Sequence, residues 1–284
     1  MIARIRRIEK TMSNYDLIAF DMDGTLLNSQ KQITKDTLDM ISLAESKGKV
    51  VCLSTGRCMP ELSGHIPHIP GLRYIIGDSG TFIRDLKTGK DIFSSPLSAE
   101  IASEILRRVR ESGEDVMLHI HSERSIAQKS HVAHMADYNM GIYQTMFERI
   151  CFLPENSIDF FFSAPFAPNK VNLYCREAQQ REKMHALLAD LDIEFTYVEG
   201  CSMECTPVGT SKGKGLKYLC DYLSIPIERS IGVGDADNDL EMLSYAGLAV
   251  AMGNAKDNVK ALADVIVADN DHDGCAEAIR RFLL

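Results

Sequence analysis

Carboxylates and small polar residues collect at three points of the chain: Asp21-Met22-Asp23-Gly24-Thr25, Ser54-Thr55-Gly56-Arg57 and Gly234-Asp235-Ala236-Asp237-Asn238-Asp239. Each follows directly on a short apolar run. Asp21 and Asp23 stand two residues apart, and in an extended chain that spacing turns both side chains to the same side. Carboxylates gathered at strand ends repel one another, and a bound divalent cation removes the repulsion. Hard oxygen donors with few others beside them favour Mg²⁺. Asp-Gly pairs ordinarily make turns, which accounts for Asp23-Gly24 taken alone and for Asp85 or Asp91. Three strand ends with matching polar chemistry are not explained as turns, and are read as one site.

The elements that must carry these residues alternate strand and helix from residue 15 onward. Residues 15–20 are an apolar run that ends in the first acidic group. A helix is predicted over 34–47, with Leu38, Ile41 and Ala44 at helical spacing and Gly48 as the stop signal. Residues 50–53 form the next strand. Near the C-terminus the pattern predicts helices at 211–223 and 240–246 and strands at 230–233, 248–251 and 265–267, with a closing helix. Short apolar runs separated by helices indicate a parallel sheet covered on both faces. In such open sheets ligands bind at the carboxyl ends of the strands.

The middle is less regular. It offers helices at 99–111 and 178–191, strands at 115–120, 171–175 and 194–198, and a Phe-rich run at 160–162 read as core. Residues 15–84 and 197–284 are therefore expected to form one doubly wound α/β core. Residues 85–196 are expected to form an inserted α/β domain entered and left through exposed turns. Residues 1–14 are basic, but charges interrupt their apolar residues, so they are expected to be a poorly ordered extension and not a signal peptide.

With 31 Lys+Arg against 40 Asp+Glu, the 284-residue chain carries a formal charge of −9. At 45% hydrophobic and 25% charged it has ample material for a core, which excludes a disordered or fibrous protein. A pI near 5.4 argues against nucleic acid as a partner, since phosphate backbones require a basic footprint. No apolar run is long enough to cross a bilayer. Most of the eight cysteines lie in apolar stretches, Cys52, Cys151, Cys175 and Cys220 among them, and no CxxC pair occurs. They read as small buried hydrophobes in a reduced, cytoplasmic setting.

Four of these segments resemble the motifs of a known family. Asp21-Met22-Asp23-Gly24-Thr25-Leu26-Leu27 resembles the DxDGTL signature of haloacid-dehalogenase (HAD) superfamily phosphatases. Leu53-Ser54-Thr55-Gly56-Arg57 resembles their second motif, Gly209-Thr210-Ser211-Lys212-Gly213 the lysine motif, and Gly234-Asp235-Ala236-Asp237-Asn238-Asp239-Leu240-Glu241-Met242-Leu243 the GDxxNDxxML fourth motif. Ala251-Met252-Gly253-Asn254-Ala255 is similar to the Cof-type, class IIB branch, whose α/β cap lies between the second and third motifs. The resemblance covers nearly everything from Tyr15 on. It departs after the third strand, where Asp78-Ser79-Gly80-Thr81 stands in place of the usual Asn-Gly-Ala turn.

The resemblance implies an Mg²⁺-dependent phosphatase acting on small phosphate monoesters, such as sugar phosphates or phosphorylated cofactors. Asp21 would be the nucleophile that forms an aspartyl-phosphate. Asp23 would be the general acid and then the base. The side chains of Asp21 and Asp235 and the backbone carbonyl of Asp23 would hold Mg²⁺, with Asp239 on a coordinated water or bound directly. Thr55, Lys212, Asn238 and the backbone N–H groups of Met22 and Gly56 would hold the phosphoryl oxygens. Arg57 would contact substrate or form a structural salt bridge. The cap would exclude water and select the leaving group. The partner implied is a small phosphorylated metabolite, with no nucleic acid or membrane. A phosphomutase on hexose phosphates is the enzymatic alternative, and a catalytically dead phosphometabolite sensor the non-enzymatic one.

Other patterns carry less. Gly209–Gly215 superficially suggests a Walker A loop, but its spacing fails, and Gly232-Val233-Gly234 lacks the third glycine of a dinucleotide fingerprint. His119, His121, His131 and His134 cluster in the middle of the chain. His131 and His134 would share a helix face, but no carboxylate accompanies them at ligand spacing. Core-satisfied or substrate-contacting histidines are the readier explanation.

Overall fold

Short β-branched and aliphatic runs become strands in two separate sheets of a computed structural model that describes residues 15–198 and 200–284. The expected extension at residues 1–14 lies outside the described residues. In chain order the strands are β1 (Leu17–Phe20), β2 (Val50–Ser54), β3 (Tyr74–Gly77), β4 (Phe82–Asp85), β5 (Lys90–Ser94), β6 (Met117–His121) and β7 (Ser125–Ala127). They continue with β8 (Cys151–Phe152), β9 (Lys170–Tyr174), β10 (Ile193–Tyr197), β11 (Ser202–Pro207), β12 (Ser230–Gly234), β13 (Leu248–Ala251) and β14 (Val265–Ile266). The chain divides into two units.

The first unit comprises residues 15–56 together with Gly64–Phe93 and Ser211–Leu284. Its sheet runs β14-β13-β12-β1-β2-β3-β4-β5. From β14 to β3 every pairing is parallel, and β4 returns antiparallel to β3. All four residues of β1 are buried, as expected of a central parallel strand covered on both faces. The chain leaves β1 toward β2 and β3, and later fills the other side with β12, β13 and β14. The point where the order reverses lies between β1 and β12, the place at which open α/β sheets bind ligands. Helix Lys35–Ser46 is capped by the Thr34 hydroxyl, which accepts from the Thr37 N–H. Helix Lys212–Tyr222 is capped by Ser211 in the same way, through the Lys214 N–H.

The second unit comprises Arg57–Ser63 and Ser94–Thr210. Its sheet runs β10-β11-β9-β6-β7-β8 and is antiparallel except for the β7–β8 pair. Alternation along β6 and β9 sends Leu118, Ile120, Val171 and Leu173 to one face. There they pack with Ile105, Leu106 and Val109 of helix Ala99–Ser112 and with Met184 and Leu188 of helix Ala178–Leu188. Met117, Tyr174, Phe147 and Tyr138 form a second cluster. Phe161 is fully buried, within a helix spanning Ser157–Ser163, while Phe162 is partly exposed.

The units divide at places other than residues 84/85 and 196/197. Strand β5 remains in the first sheet, and β11 closes the antiparallel β10–β11–β9 ladder of the second. Strand pairing is non-local, and neither strand carries a local mark of the sheet it joins. Of the cysteines read as core, Cys52, Cys175 and Cys220 are buried and Cys151 is half-buried. Among the described residues no helix is long and apolar enough to cross a membrane.

Candidate active site

Strand order brings together carboxylates that lie far apart in sequence. Because β12, β1 and β2 are neighbours and parallel, their carboxyl ends lie side by side, about 4.8 Å from strand to strand. Phe20 pairs with Val233 and Leu53, so Asp21, Asp235 and the Ser54-Thr55 tip follow the same edge. The Asp21 N–H donates to the Val233 carbonyl at 3.0 Å and carries the ladder one residue past β1.

After Asp21 the chain turns back sharply. The N–H groups of Leu26 and Leu27 donate to the carbonyls of Asp21 and Met22 at 3.3 and 2.8 Å. Gly24 makes this possible with φ +80°, and a Cβ there would lie 2.4 Å from Asp235 Oδ2. The turn also brings Thr25 Oγ1 to donate to Asp235 Oδ1 at 2.7 Å, and Asn254 Nδ2 to donate to the Gly24 carbonyl at 2.8 Å.

Oxygens of Asp21, Asp235 and Asp239 lie within 4.8 Å of one another. Lys212, in the first turn of its helix, is buried and donates to Asp21 Oδ1 at 2.6 Å and to Asp239 Oδ1 at 2.7 Å. Gly215 lets that helix approach closely, since a Cβ there would lie 2.4 Å from Ile76 Cγ2. Asp239 Oδ2 accepts from the N–H groups of Asp235 and Ala236, each at 3.0 Å. Both oxygens of Asp239 thus accept hydrogen bonds.

The electrostatics are those of an acidic cluster built around the Lys212 ammonium. Burial, reinforced by Asp239, pushes the Asp21 carboxyl well above the usual carboxylate range, with Lys212 pulling against it. Burial pushes Asp235 up to about 6; the Thr25 hydrogen bond opposes the shift, and the Asp239 and Asp23 charges add to it. Burial alone would lower the Lys212 ammonium, yet Asp21 and Asp239 hold it above its ordinary value. Three carboxylates against one ammonium leave a buried negative excess that a hard divalent cation would neutralise. The all-oxygen donor set fits such an ion, and Asn238 Oδ1 is a further buried acceptor with no hydrogen-bond partner.

The other expected site residues take varied places. The Asp23 carboxylate lies outside the three-carboxylate group, at a partly exposed position where Lys31 Nζ donates to it at 2.9 Å. Thr55 is buried, its N–H donating to the Ile76 carbonyl and its carbonyl accepting from Ser79 N–H. The departing loop after β3 places Asp78 and Ser79 at φ 47° and 59°, and so docks on the β2 tip. Gly56 ends its segment of the first unit, whereas Arg57 belongs to the second, buried there with Nη1 donating to Met146 Sδ at 3.8 Å. Met22 is buried. Asp237 faces outward onto Lys256 and Asn258. Thr25 and Asn254 stand inside recognised motifs, but sequence alone assigned them no task. A hydroxyl four residues past Asp21, on the far side of a glycine turn, was the available signal.

Known proteins share both sequence and fold with this chain. The sequence profile of the haloacid dehalogenase-like hydrolases matches residues 18–279. The 5-amino-6-(5-phospho-D-ribitylamino)uracil phosphatase YitU of Bacillus subtilis is 31% identical, over 94% of this chain and 97% of its own. Phosphatase YwpJ of Bacillus subtilis is 28% identical, over 94% and 99%. The crystal structure of a haloacid dehalogenase-like hydrolase from Bacteroides thetaiotaomicron superposes with a TM-score of 0.80 at 25% identity, covering 94% of this chain and 99% of that one. The chain accordingly belongs to the haloacid dehalogenase-like hydrolases, and the relatives it covers nearly end to end are named phosphatases.

Proposed function

We propose that the chain is an Mg²⁺-dependent phosphatase that hydrolyses small phosphate monoesters through an aspartyl-phosphate on Asp21. The observation that carries this reading is the Lys212 ammonium bridging Asp21 and Asp239, with Asp235 alongside. A carboxylate held between a fixed cation and a cation-seeking acidic partner is oriented for attack and poor in alternative partners. Mg²⁺, held by the side chains of Asp21 and Asp235 and the carbonyl of Asp23, would screen the charge between the carboxylate and the incoming phosphate.

In the first step an Asp21 oxygen attacks phosphorus and the bond from phosphorus to the ester oxygen breaks. Asp23 gives its proton to that leaving oxygen. In the second step Asp23 takes a proton from water, the water oxygen attacks phosphorus, and inorganic phosphate leaves with Asp21 restored. Thr55, Asn238, Lys212 and the N–H groups of Met22 and Gly56 hold the three phosphoryl oxygens as charge spreads over them. Asp23 must release Lys31 before it can carry a proton, and its partial exposure leaves room for that exchange. Arg57 is left for the substrate beyond the phosphate.

The test is phosphate release from a panel of sugar phosphates and phosphorylated cofactors, with and without Mg²⁺. 5-amino-6-(5-phospho-D-ribitylamino)uracil goes in first, because the Bacillus subtilis relative is named for it. Mg²⁺-dependent accumulation of free phosphate is expected. Isomerised hexose phosphate without free phosphate would instead identify a mutase.

Two further results are expected. Asp23→Asn should slow esters with alkoxide leaving groups by about 10²–10⁴-fold and spare activated aryl esters, as loss of a general acid does. Equal slowing of both ester types would remove Asp23 from that role.

The second concerns metal and pH. Asp235 has a folded pKa of about 6, above its unfolded value, so the stability it contributes is complete at low pH and is lost as pH rises through about 6. That loss amounts to roughly 2–3 kcal/mol. Mg²⁺ binds the ionised form, so it should raise the melting temperature more at pH 7.5 than at pH 5. Equal increments at both pH values in thermal unfolding would show that Mg²⁺ does not bind Asp235.

A further inference from the structure

A second cluster of metal-ligating atoms lies wholly within the second unit, and the phosphatase chemistry does not use it. Cys58, His119 and His121 are all buried, and a ligand atom from each lies within 4.8 Å of the others. His119 and His121 are two apart on β6, so the pleat sends both to the same face, and their ring centroids stand 4.0 Å apart. Cys58 reaches them from the segment before helix Met59–Leu62, where its N–H donates to Glu61 Oε2 at 2.9 Å. This is not the His131/His134 pair suggested by helical spacing. His131 lies in a four-residue helix, Lys129–Val132, and His134 falls beyond it.

We propose that Cys58, His119 and His121 form a site for one thiophilic divalent cation of the zinc class, separate from the carboxylate site. One thiolate and two imidazoles suit zinc or cobalt(II), whereas Mg²⁺ prefers oxygen donors. Bonds of about 2.0–2.3 Å to a tetrahedral ion would draw the three ligand atoms to roughly 3.3–3.8 Å of one another, a small side-chain adjustment from the observed cluster.

The surroundings supply the supporting contacts such a site needs. His119 is hydrogen-bonded through both ring nitrogens, at 2.5 Å to Ser125 Oγ and 3.3 Å to Tyr174 Oη. One nitrogen would keep its hydroxyl, fixing the tautomer and ring orientation, while the other turned to the ion. Directly across from His119 on β9, Asn172 Oδ1 is buried with no hydrogen-bond partner. A water completing the tetrahedron would give that acceptor a donor. The buried Lys170 is paired with Glu204 at 2.5 Å. Binding forms the sulfur–metal bond and releases the Cys58 thiol proton to solvent, so affinity rises with pH. The ion would tie the Cys58 segment to the sheet.

The test titrates the full chain, stripped with chelator and then saturated with Mg²⁺, with Zn²⁺ or Co²⁺ alone. One equivalent of Zn²⁺ should bind, and Co²⁺ should produce a sulfur-to-cobalt charge-transfer band. Cys58→Ser should abolish the band and weaken Zn²⁺ binding by at least about 100-fold, whereas Cys201→Ser should leave both unchanged. X-ray absorption on the zinc-loaded wild type gives a readout that does not depend on a variant folding, with one sulfur and two imidazole nitrogens expected. No Zn²⁺ binding in the presence of Mg²⁺, a band that survives Cys58→Ser, or a metal shell without sulfur would each overturn the site. None of these outcomes bears on phosphate release, which stands or falls separately.

Discussion

Asp21→Asn is expected to lower kcat by about 10⁴-fold or more while the protein stays folded. The asparagine amide cannot form the acyl phosphate, so no other residue of the site can substitute for the lost carboxylate. The direction of the stability change follows from the same geometry. Asp21 is buried beside Asp235 and Asp239, and its carboxyl is pushed upward chiefly by burial. Removing one of three crowded charges relieves repulsion, although Lys212 loses an ionic partner. The metal-free variant should therefore melt at or above the wild-type temperature. Steady-state kinetics with Mg²⁺ and a thermal melt check both halves. Residual activity above a few per cent would place the nucleophile elsewhere.

Lys212→Ala should damage both stability and catalysis. The ammonium pairs with both Asp21 and Asp239, at 2.6 and 2.7 Å, and its removal leaves buried carboxylates uncompensated. Breaking a buried pair in this way costs about 3–5 kcal/mol. Mg²⁺ should restore part of that loss, so the gap between variant and wild-type melting temperatures narrows when Mg²⁺ is added. Loss of a donor aimed at transition-state charge should lower kcat/KM by roughly 10²–10³-fold. Unchanged kinetics would take Lys212 out of the site. An unchanged melt without Mg²⁺ would mean the carboxylates are not ionised together.

The two variants also separate the roles of charge. Asp21→Asn removes an anion and should weaken Mg²⁺ binding. Lys212→Ala removes a cation and should strengthen the apparent need for Mg²⁺. A common direction for both would contradict a site balanced between one ammonium and one divalent ion.

Much of this was legible along the chain because it depends on local rules. Residues 34–47 read as a helix and fold as Lys35–Ser46 with Thr34 as the cap, since propensity, periodicity and capping act over a few residues. The predicted strand 248–251 matches β13 residue for residue. Asp21, Asp235 and Lys212 were each identifiable from motif and position at an element end. Asp23 could be named from the motif, but not its hold on Lys31, because a side chain's direction past a glycine turn depends on the turn's own geometry.

Composition, periodicity and four ordered motifs thus specified the class of fold, the acidic strand ends and the family. Non-local pairing settled the rest. It put β12 beside β1, which set Asp235 against Asp21 across more than two hundred residues of sequence and let Thr25 grip it. It assigned β5 to one sheet and β11 to the other, and tertiary folding brought Cys58 against His119 and His121. Backbone hydrogen bonding is generic and any strand offers the same donors and acceptors, so which strands meet is decided by how the whole set of apolar faces can be buried at once.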